Sequence, residues 1–553
     1  MKQKIAWSKA LAGGVVLATV GLPGAIGQNV SEARMKWWNE QKFGMFIHYG
    51  PWYHNGDRNY KDGKWTETRR PRAEAIRSFN PAREAAEQWA RLAKEAGMRY
   101  VVFTAKHTCG FTFPMWSTKT TDYGITFPDC PYSRQPNPDF VAQYVKVVRS
   151  AGLGVGLYYP WDDKEHPDGQ WFEGHKDGYV PDFVKKYPER WANFVKFEKE
   201  QLRELLTQYG PIDIFWFDGG YQERPEDVLP VLNMMRELQP QLILNNRGTM
   251  HMADVVATHE SCIPRSAPAG YWETCMGVAG KGGWIPKSHG GHKEYMTIGN
   301  GWYDYQGPNM EYKNARELIQ SLCSVASKGG NLLLGVGPRP DGSVPEPEVA
   351  LLQQMGQWLR ENAEAIYGTS RDPFGTAPDW GVVTRKGDKL YLLVFDWPER
   401  TGTLLLNMKG DIKSARLLVT SEEVTFKRKS DTTVEFTLPT VPAAWEPNLR
   451  AVRRAPSEHV SVVVVEVEGD VTGIAGHPIL GTWSYQHAGR SYTREFTKDG
   501  FCILKDGDQM GWKKTFRVID ERTALVEDQY LHTLTDKDTL NIENTFAAKR
   551  TSK

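Results

Sequence analysis

An α/β fold, with a parallel barrel of seven or eight strand–helix units followed by an antiparallel β-sandwich and a small β-meander, is predicted by three observations. Short apolar strands alternate with amphipathic helices from Phe43 to Ile366, the pattern of parallel strands joined by helical crossovers. That many units fit a closed barrel better than an open sheet, and neither GxGxxG nor GxxxxGK[ST] follows a strand, so a nucleotide-binding sheet has little support. From about Arg371 the helices stop. Short strands bounded by Gly, Pro, Asp and Lys take over, and beyond Gly469 strands recur about every ten residues with Asp-Gly and Asp-Lys turns.

The N-terminus carries Lys2, Lys4 and Lys9, an apolar run from Ala10 to Val20 and then Ala25-Ile26-Gly27. This is the layout of a secretory signal cut after Gly27, and the run is short for a membrane span. The expected segments are therefore a signal peptide over 1–27, a catalytic barrel over 28–370, a sandwich over 371–469 and a lipocalin-like all-β module over 470–553. A short helix with Trp37 and Trp38 leads to the first strand, Phe43 to His48. Asn80 is expected to cap a helix with Pro81 in its first turn, and Gly97 to end it. The second strand is Tyr100 to Ala105. A helix from Asp139 to Arg149 precedes the third, Val155 to Tyr159, and a longer one from Arg190 to Leu206 precedes the fourth, Ile212 to Phe217. A helix over Pro225 to Leu238 follows. Strands at Leu242 to Asn245, Val255 to Thr258 and Asn331 to Val336 complete the barrel, with helices at Ala315 to Ser327 and Glu346 to Ile366.

The fourth strand is the centre of the chain. Apolar residues run from Ile212 to Phe217 between Gly210-Pro211 and Gly219-Gly220, and Asp218 stands at the carboxyl end. Strand carboxyl ends are where parallel barrels carry their chemistry. His48, His107, Arg247, His259 and Glu260 fall at other strand ends, with Glu273 a little further on. Chance would scatter such residues over both ends of a barrel.

Composition narrows the function. The 553 residues carry a net charge of +1 without a basic run, so neither nucleic acid nor an anionic membrane surface is an expected partner. Aromatic residues are abundant, with 20 Trp and 23 Tyr, and flat rings match the C–H faces of sugars. The six cysteines show no metal-like spacing; a pair such as Cys262 and Cys275 could bridge in an oxidising compartment. A site built from His48, His107 and His259 lacks the closely spaced ligand pairs usual for zinc, so no metal or other cofactor is expected.

Two carboxylates, aromatic walls and an exported chain point to glycoside hydrolysis, which needs one carboxylate ionised beside the anomeric carbon and another protonated beside the leaving oxygen. Asp218 is the candidate nucleophile. Glu260, Glu273 and Glu294 are candidate acids, and Glu273 is preferred because its Trp-flanked stretch offers the apolar setting of an acid with a raised pKa.

KFGMFIHYG at 42–50, RYVVFTAKHTCGFTFPMWSTKTTDY at 99–123, IDIFWFDGG at 212–220, Asn246-Arg247, WETC at 272–275, SKGGNLLLGVGPRPDGSVP at 327–345 and ENAEAIYGT at 361–369 occur in one order. Together they resemble the α-L-fucosidases of glycoside hydrolase family 29. The resemblance implies a (β/α)8 barrel with a following sandwich, and hydrolysis of terminal α-L-fucose from glycans with retention, Asp218 standing where that family has its nucleophile. It also implies sugar contacts by His48, Tyr49, Glu67, His107, Tyr159, Trp216, Arg247 and Trp302. The chain departs from the family at Thr108-Cys109, where a second histidine and an acidic residue are usual, and at Tyr49, often Trp. A catalytically silent carbohydrate-binding protein, or a hydrolase for a fucose-like sugar such as L-galactose, is the alternative. Periplasmic or extracellular localisation follows from the signal; an oligomer is compatible with the several exposed faces.

Overall fold

The computed structural model describes most of residues 30–552; outside it lie 1–29 and, within the chain, chiefly 52–57, 68–73, 108–114, 121–129, 170–179, 220–223, 248–252, 281–283, 286–294, 299–302, 440–454 and 473–476. Eight parallel strands make one sheet: β1 (Phe43–Ile47), β2 (Tyr100–Thr104), β3 (Gly154–Pro160), β4 (Ile214–Asp218), β5 (Ile243–Leu244), β6 (Val256–Ala257), β7 (Trp272–Gly277) and β8 (Asn331–Val336). The spatial order is β5-β4-β3-β2-β1-β8-β7-β6. A parallel bridge between Asn245 and Val255 joins the two outer strands. The sheet is thereby closed into a barrel in sequence order.

Alternation along each strand sorts the side chains into two cores. Phe46, Tyr100, Val102, Tyr158, Trp216, Cys275 and Leu333 fill the lumen, sealed below by Trp38. Their neighbours Met45, Ile47, Val101, Phe103, Leu157, Tyr159, Phe215 and Phe217 pack outward beneath the helices. Tyr100 needs space inside: a Cβ on Gly44 of β1 would lie 2.3 Å from its ring. Glycine is therefore the residue that fits there.

The helices form where capping chemistry and apolar spacing coincide. Asp139 caps Phe140–Ser150 by accepting from the Ala142 amide at 2.8 Å. Asn314 and Glu317 form a reciprocal capping box on Ala315–Ser327. The helix expected to open at Asn80-Pro81 instead runs over Ala85–Glu95. The Ala82 amide donates to the Asp341 carbonyl at 2.8 Å and Asn80 Oδ1 accepts from Gln135 at 2.9 Å, so this segment is tied down before the helix begins. Strand β7 was absent from the expected set. Its residues Glu273 and Thr274 interrupt the apolar run by which the other strands announce themselves.

Beyond the barrel, a four-stranded sheet in the order Gly381–Lys386, Lys389–Val394, Ser461–Thr472, Lys409–Leu417 faces a three-stranded sheet of Thr403–Asn407, Thr433–Thr437 and Thr425–Ser430. One apolar core lies between them. Trp358, on the last barrel helix, donates to the Val460 carbonyl at 2.8 Å and anchors this sandwich. The expected meander closes completely: eight antiparallel strands from Gly481–His487 to Phe546–Ser552 form a barrel, first strand paired with last.

The Cys262–Cys275 disulfide is not formed. Both side chains are buried, on different sheets. Cys275 faces the barrel lumen, whereas Cys262 lies in a small antiparallel sheet with Tyr295–Ile298.

Candidate active site

Asp218 ends β4 with its side chain about a quarter exposed at the carboxyl mouth of the barrel. The following Gly219 has φ +81°, and a Cβ there would lie 2.4 Å from Asp162 Oδ1, so the turn after the carboxylate requires glycine. Arg247 Nη1 donates to Asp218 Oδ1 at 2.7 Å, and the Tyr158 hydroxyl donates to Oδ2 at 2.8 Å. Burial by itself raises the Asp218 pKa, but the Arg247 charge, with hydrogen bonds from Arg247, Tyr158 and the Gly219 amide, outweighs it and holds the carboxyl below its ordinary value. It is an anion at neutral pH. Asn245 steadies the strand that carries it, exchanging two 2.9 Å bonds with the Phe217 backbone.

The same Arg247 Nη1 donates to Glu260 Oε1 at 2.8 Å, and the Arg247 guanidinium lies 4.9 Å from the Trp216 ring centre. Glu260 is half exposed at the mouth. Glu273 is different. It sits on β7 inside the lumen, only 2 % exposed, with Trp216 Nε1 donating to Oε1 at 3.0 Å and the Tyr100 hydroxyl donating to Oε2. Burial pushes its pKa up to about 7 against those two bonds. On the other side of the mouth, His107 stacks on Tyr158 at 5.2 Å between ring centres, and His48 lies 5.5 Å from His107 and 5.1 Å from Tyr303. Burial, then the neighbouring His107, keeps His48 neutral. The result is a small concave site with an anionic carboxylate, a cation behind it and aromatic and imidazole walls. Among the described residues no three His, Cys, Asp or Glu side chains converge as metal ligands would.

A family model described as Alpha-L-fucosidase matches residues 26–295 and 285–364. The chain belongs to the α-L-fucosidase family, glycoside hydrolase family 29. Curated relatives include the alpha-L-fucosidase of Dictyostelium discoideum, 26% identical over 426 residues, covering 69% of this chain and 82% of that protein. The tissue alpha-L-fucosidase of Homo sapiens is 26% identical over 421 residues, covering 69% and 80%. Among solved structures, alpha-L-fucosidase isoenzyme 1 from Paenibacillus thiaminolyticus superposes with a TM-score of 0.63 at 26% identity, over 79% of this chain and 99% of that one. The alpha-L-fucosidase of Vibrio sp. strain EJY3 gives 0.63 at 25%, over 88% and 90%. The chain is thus an α-L-fucosidase, a glycoside hydrolase.

Within this fucosidase, His48, His107, Asp218, Arg247 and Glu260 lie at one mouth of the barrel, with Trp216 beneath them in the lumen. Two tyrosines do not. Tyr49 is fully buried outside the barrel wall against Trp89 and Phe140, its hydroxyl donating to the Pro340 carbonyl at 2.9 Å. Tyr159 also points outward, to Gln201 Oε1 at 2.8 Å and to Lys106 Nζ at 3.1 Å, and Lys106 is paired with Asp163 at 3.0 Å. The residue in contact with Asp218 is its neighbour Tyr158, because adjacent strand residues face opposite ways. Glu67 ends a strand paired with Arg58–Lys61, and its side chain lies outside the described residues, as do Thr108, Cys109, His259, Glu294 and Trp302. Tyr303, which donates to the Cys275 carbonyl at 3.0 Å and walls His48, was missed; no spacing or pattern singles it out.

Proposed function

We propose that this α-L-fucosidase acts with retention, with Asp218 as nucleophile and Glu260, rather than the expected Glu273, as general acid and base. One observation carries the assignment: Arg247 Nη1 holds Asp218 Oδ1 at 2.7 Å and Glu260 Oε1 at 2.8 Å. Two oxygens bound to one nitrogen cannot be farther apart than the sum of those lengths, which is short of the roughly 6.5–9.5 Å that an inverting pair needs to admit a water and so favours double displacement. Glu273 has the raised pKa of an acid but not the access. Its two oxygens are occupied by Trp216 and Tyr100 within the lumen, and its role is to orient the indole that floors the site.

In the first step the Asp218 carboxylate bonds to the anomeric carbon while protonated Glu260 gives its proton to the departing oxygen. In the second, Glu260 takes a proton from the water that displaces Asp218. Fucose leaves with its original anomeric configuration. Glu260→Ala is expected to lose about 10²–10³-fold on natural fucosides and little on 4-nitrophenyl α-L-fucoside, whose leaving group needs no proton. Azide restores its turnover and yields a fucosyl azide of retained configuration. Glu273→Gln instead lowers activity on both substrates alike and shows no azide rescue; the reverse pattern returns the acid to Glu273.

We further propose that the enzyme is exported, on the basic, apolar and small-residue segments of its first 27 residues. No described helix is long and apolar enough to cross a membrane. Mass spectrometry of the secreted chain is expected to find Gln28 at the N-terminus; an intact Met1 refutes cleavage.

A further inference from the structure

The C-terminal barrel has two unlike ends. One is plugged: Trp483 Nε1 donates to the Ile479 carbonyl at 2.7 Å, and Arg550 lies 4.1 Å from the Trp483 ring and binds the carbonyls of Leu480, at 2.8 Å, and Pro478. Around the other end stand the half-buried rings of Tyr485, Trp512 and Tyr530. Between plug and rim a cation is enclosed. Arg494 is opposite Trp483 on one neighbouring strand and Leu504 on the other, and residues directly opposite in an antiparallel pair share a face. Its side chain therefore points inward.

Arg494 is 9% exposed, and its Nε has no hydrogen-bond partner. Among the described residues it forms no ion pair. Among the described residues its one side-chain hydrogen-bond partner is the fully buried His532, whose Nε2 accepts from Nη1. His532 Nδ1 is 2.7 Å from the Tyr530 carbonyl and donates to it, which leaves Nε2 as acceptor. Burial, and then the Arg494 charge, lower the His532 pKa to about 3, so the ring is neutral beside the guanidinium. The Arg494 guanidinium lies 5.2 Å from the Trp512 ring centre and 5.8 Å from that of Tyr485. Lys514, 5.3 Å from Trp512 and 5.1 Å from Tyr530, adds a second cation at the same end.

A buried cation without an anion is costly, and aromatic faces relieve only part of that cost. Eight-stranded barrels are wide enough either to be filled by side chains or to hold one small ligand. From the unpartnered guanidinium edge beneath an aromatic rim, we propose that the C-terminal barrel is a binding site for an acidic sugar unit, whose carboxylate or sulfate ester pairs with Arg494 while its ring lies against Trp512 and Tyr485. Planar guanidinium matches either anion with paired donors, and a flat ring favours a sugar over a bare ion. The module then directs an exocellular hydrolase towards acidic glycans.

The test is calorimetric titration of the full mature chain with glucuronate and with fucose 4-sulfate, using free fucose as the neutral control. Binding of either acidic sugar is expected, weakening as salt rises, and the arm that binds identifies the anion. Arg494→Gln should reduce the affinity at least tenfold, with Arg494→Lys intermediate and Trp512→Ala weakened without loss of the salt dependence. All three should hydrolyse 4-nitrophenyl α-L-fucoside at the wild-type rate, and Arg494→Lys should keep the wild-type calorimetric unfolding transitions, which reports that the C-terminal barrel, with its own core, is folded. No heat from either acid, or equal affinity in wild type and Arg494→Gln, overturns the proposal.

Discussion

Asp218→Asn is expected to reduce kcat on 4-nitrophenyl α-L-fucoside by at least about 10³-fold, because an amide supplies neither the nucleophile nor the charge that the first step consumes. The substitution is nearly isosteric. Its carbonyl oxygen still accepts from Arg247, so Tm is expected to stay within about 4 °C of wild type. A reactive leaving group does not rescue this variant, in contrast to Glu260→Ala. Shortening the side chain separates a nucleophile from a residue that merely shapes the pocket: Asp218→Gly with azide is expected to regain turnover by a single displacement and to give fucosyl azide of inverted configuration. Wild-type turnover in Asp218→Asn, or an azide product of retained configuration from Asp218→Gly, removes Asp218 from the mechanism.

The sequence reveals Asp218 because backbone and side chain speak together there: an apolar strand, an acidic residue at its end, then glycine. The barrel was legible for the same reason, since β1, β2, β4 and β8 are buried on both faces and read as continuous apolar runs. Legibility failed where the lumen holds polar groups. On β7 the inward Glu273 breaks the run, so the strand passed unnoticed and its glutamate was credited with a place at the mouth. Tyr158 and Tyr159 show a second limit. Two identical residues in succession carry no signal of parity, and the face of each depends on a register set by Gly156 pairing with Ile214 across to β4. The pair of hydrogen bonds from Arg247 to Asp218 and Glu260 was invisible for a third reason: it joins three different loops and strand ends, and no spacing along one element encodes it.

Arg247→Met tests that shared cation, and its expected effect combines rate and pH. Met fills similar volume against Trp216 but leaves both carboxylates without their common donor, and kcat/KM is expected to fall about 10²-fold through lost positioning and charge. The sign of the pH change follows from the balance at Asp218. In the wild type the cation and hydrogen bonds outweigh burial and keep the carboxyl ionised to lower pH than usual. Without Arg247, burial dominates and the carboxyl takes up its proton at higher pH. The nucleophile must be ionised, so the acidic limb of the kcat/KM profile is expected to move upward in Arg247→Met. Tyr158→Phe removes one of the remaining bonds, worth about 1 kcal/mol, and should move the limb the same way by less. Tyr159→Phe, whose hydroxyl faces Gln201 and Lys106 behind the barrel wall, should leave the limb in place. An unmoved limb in Arg247→Met means that the group titrating on the acid side is not Asp218, and a shift with Tyr159→Phe but not Tyr158→Phe reverses the assignment of the two tyrosines.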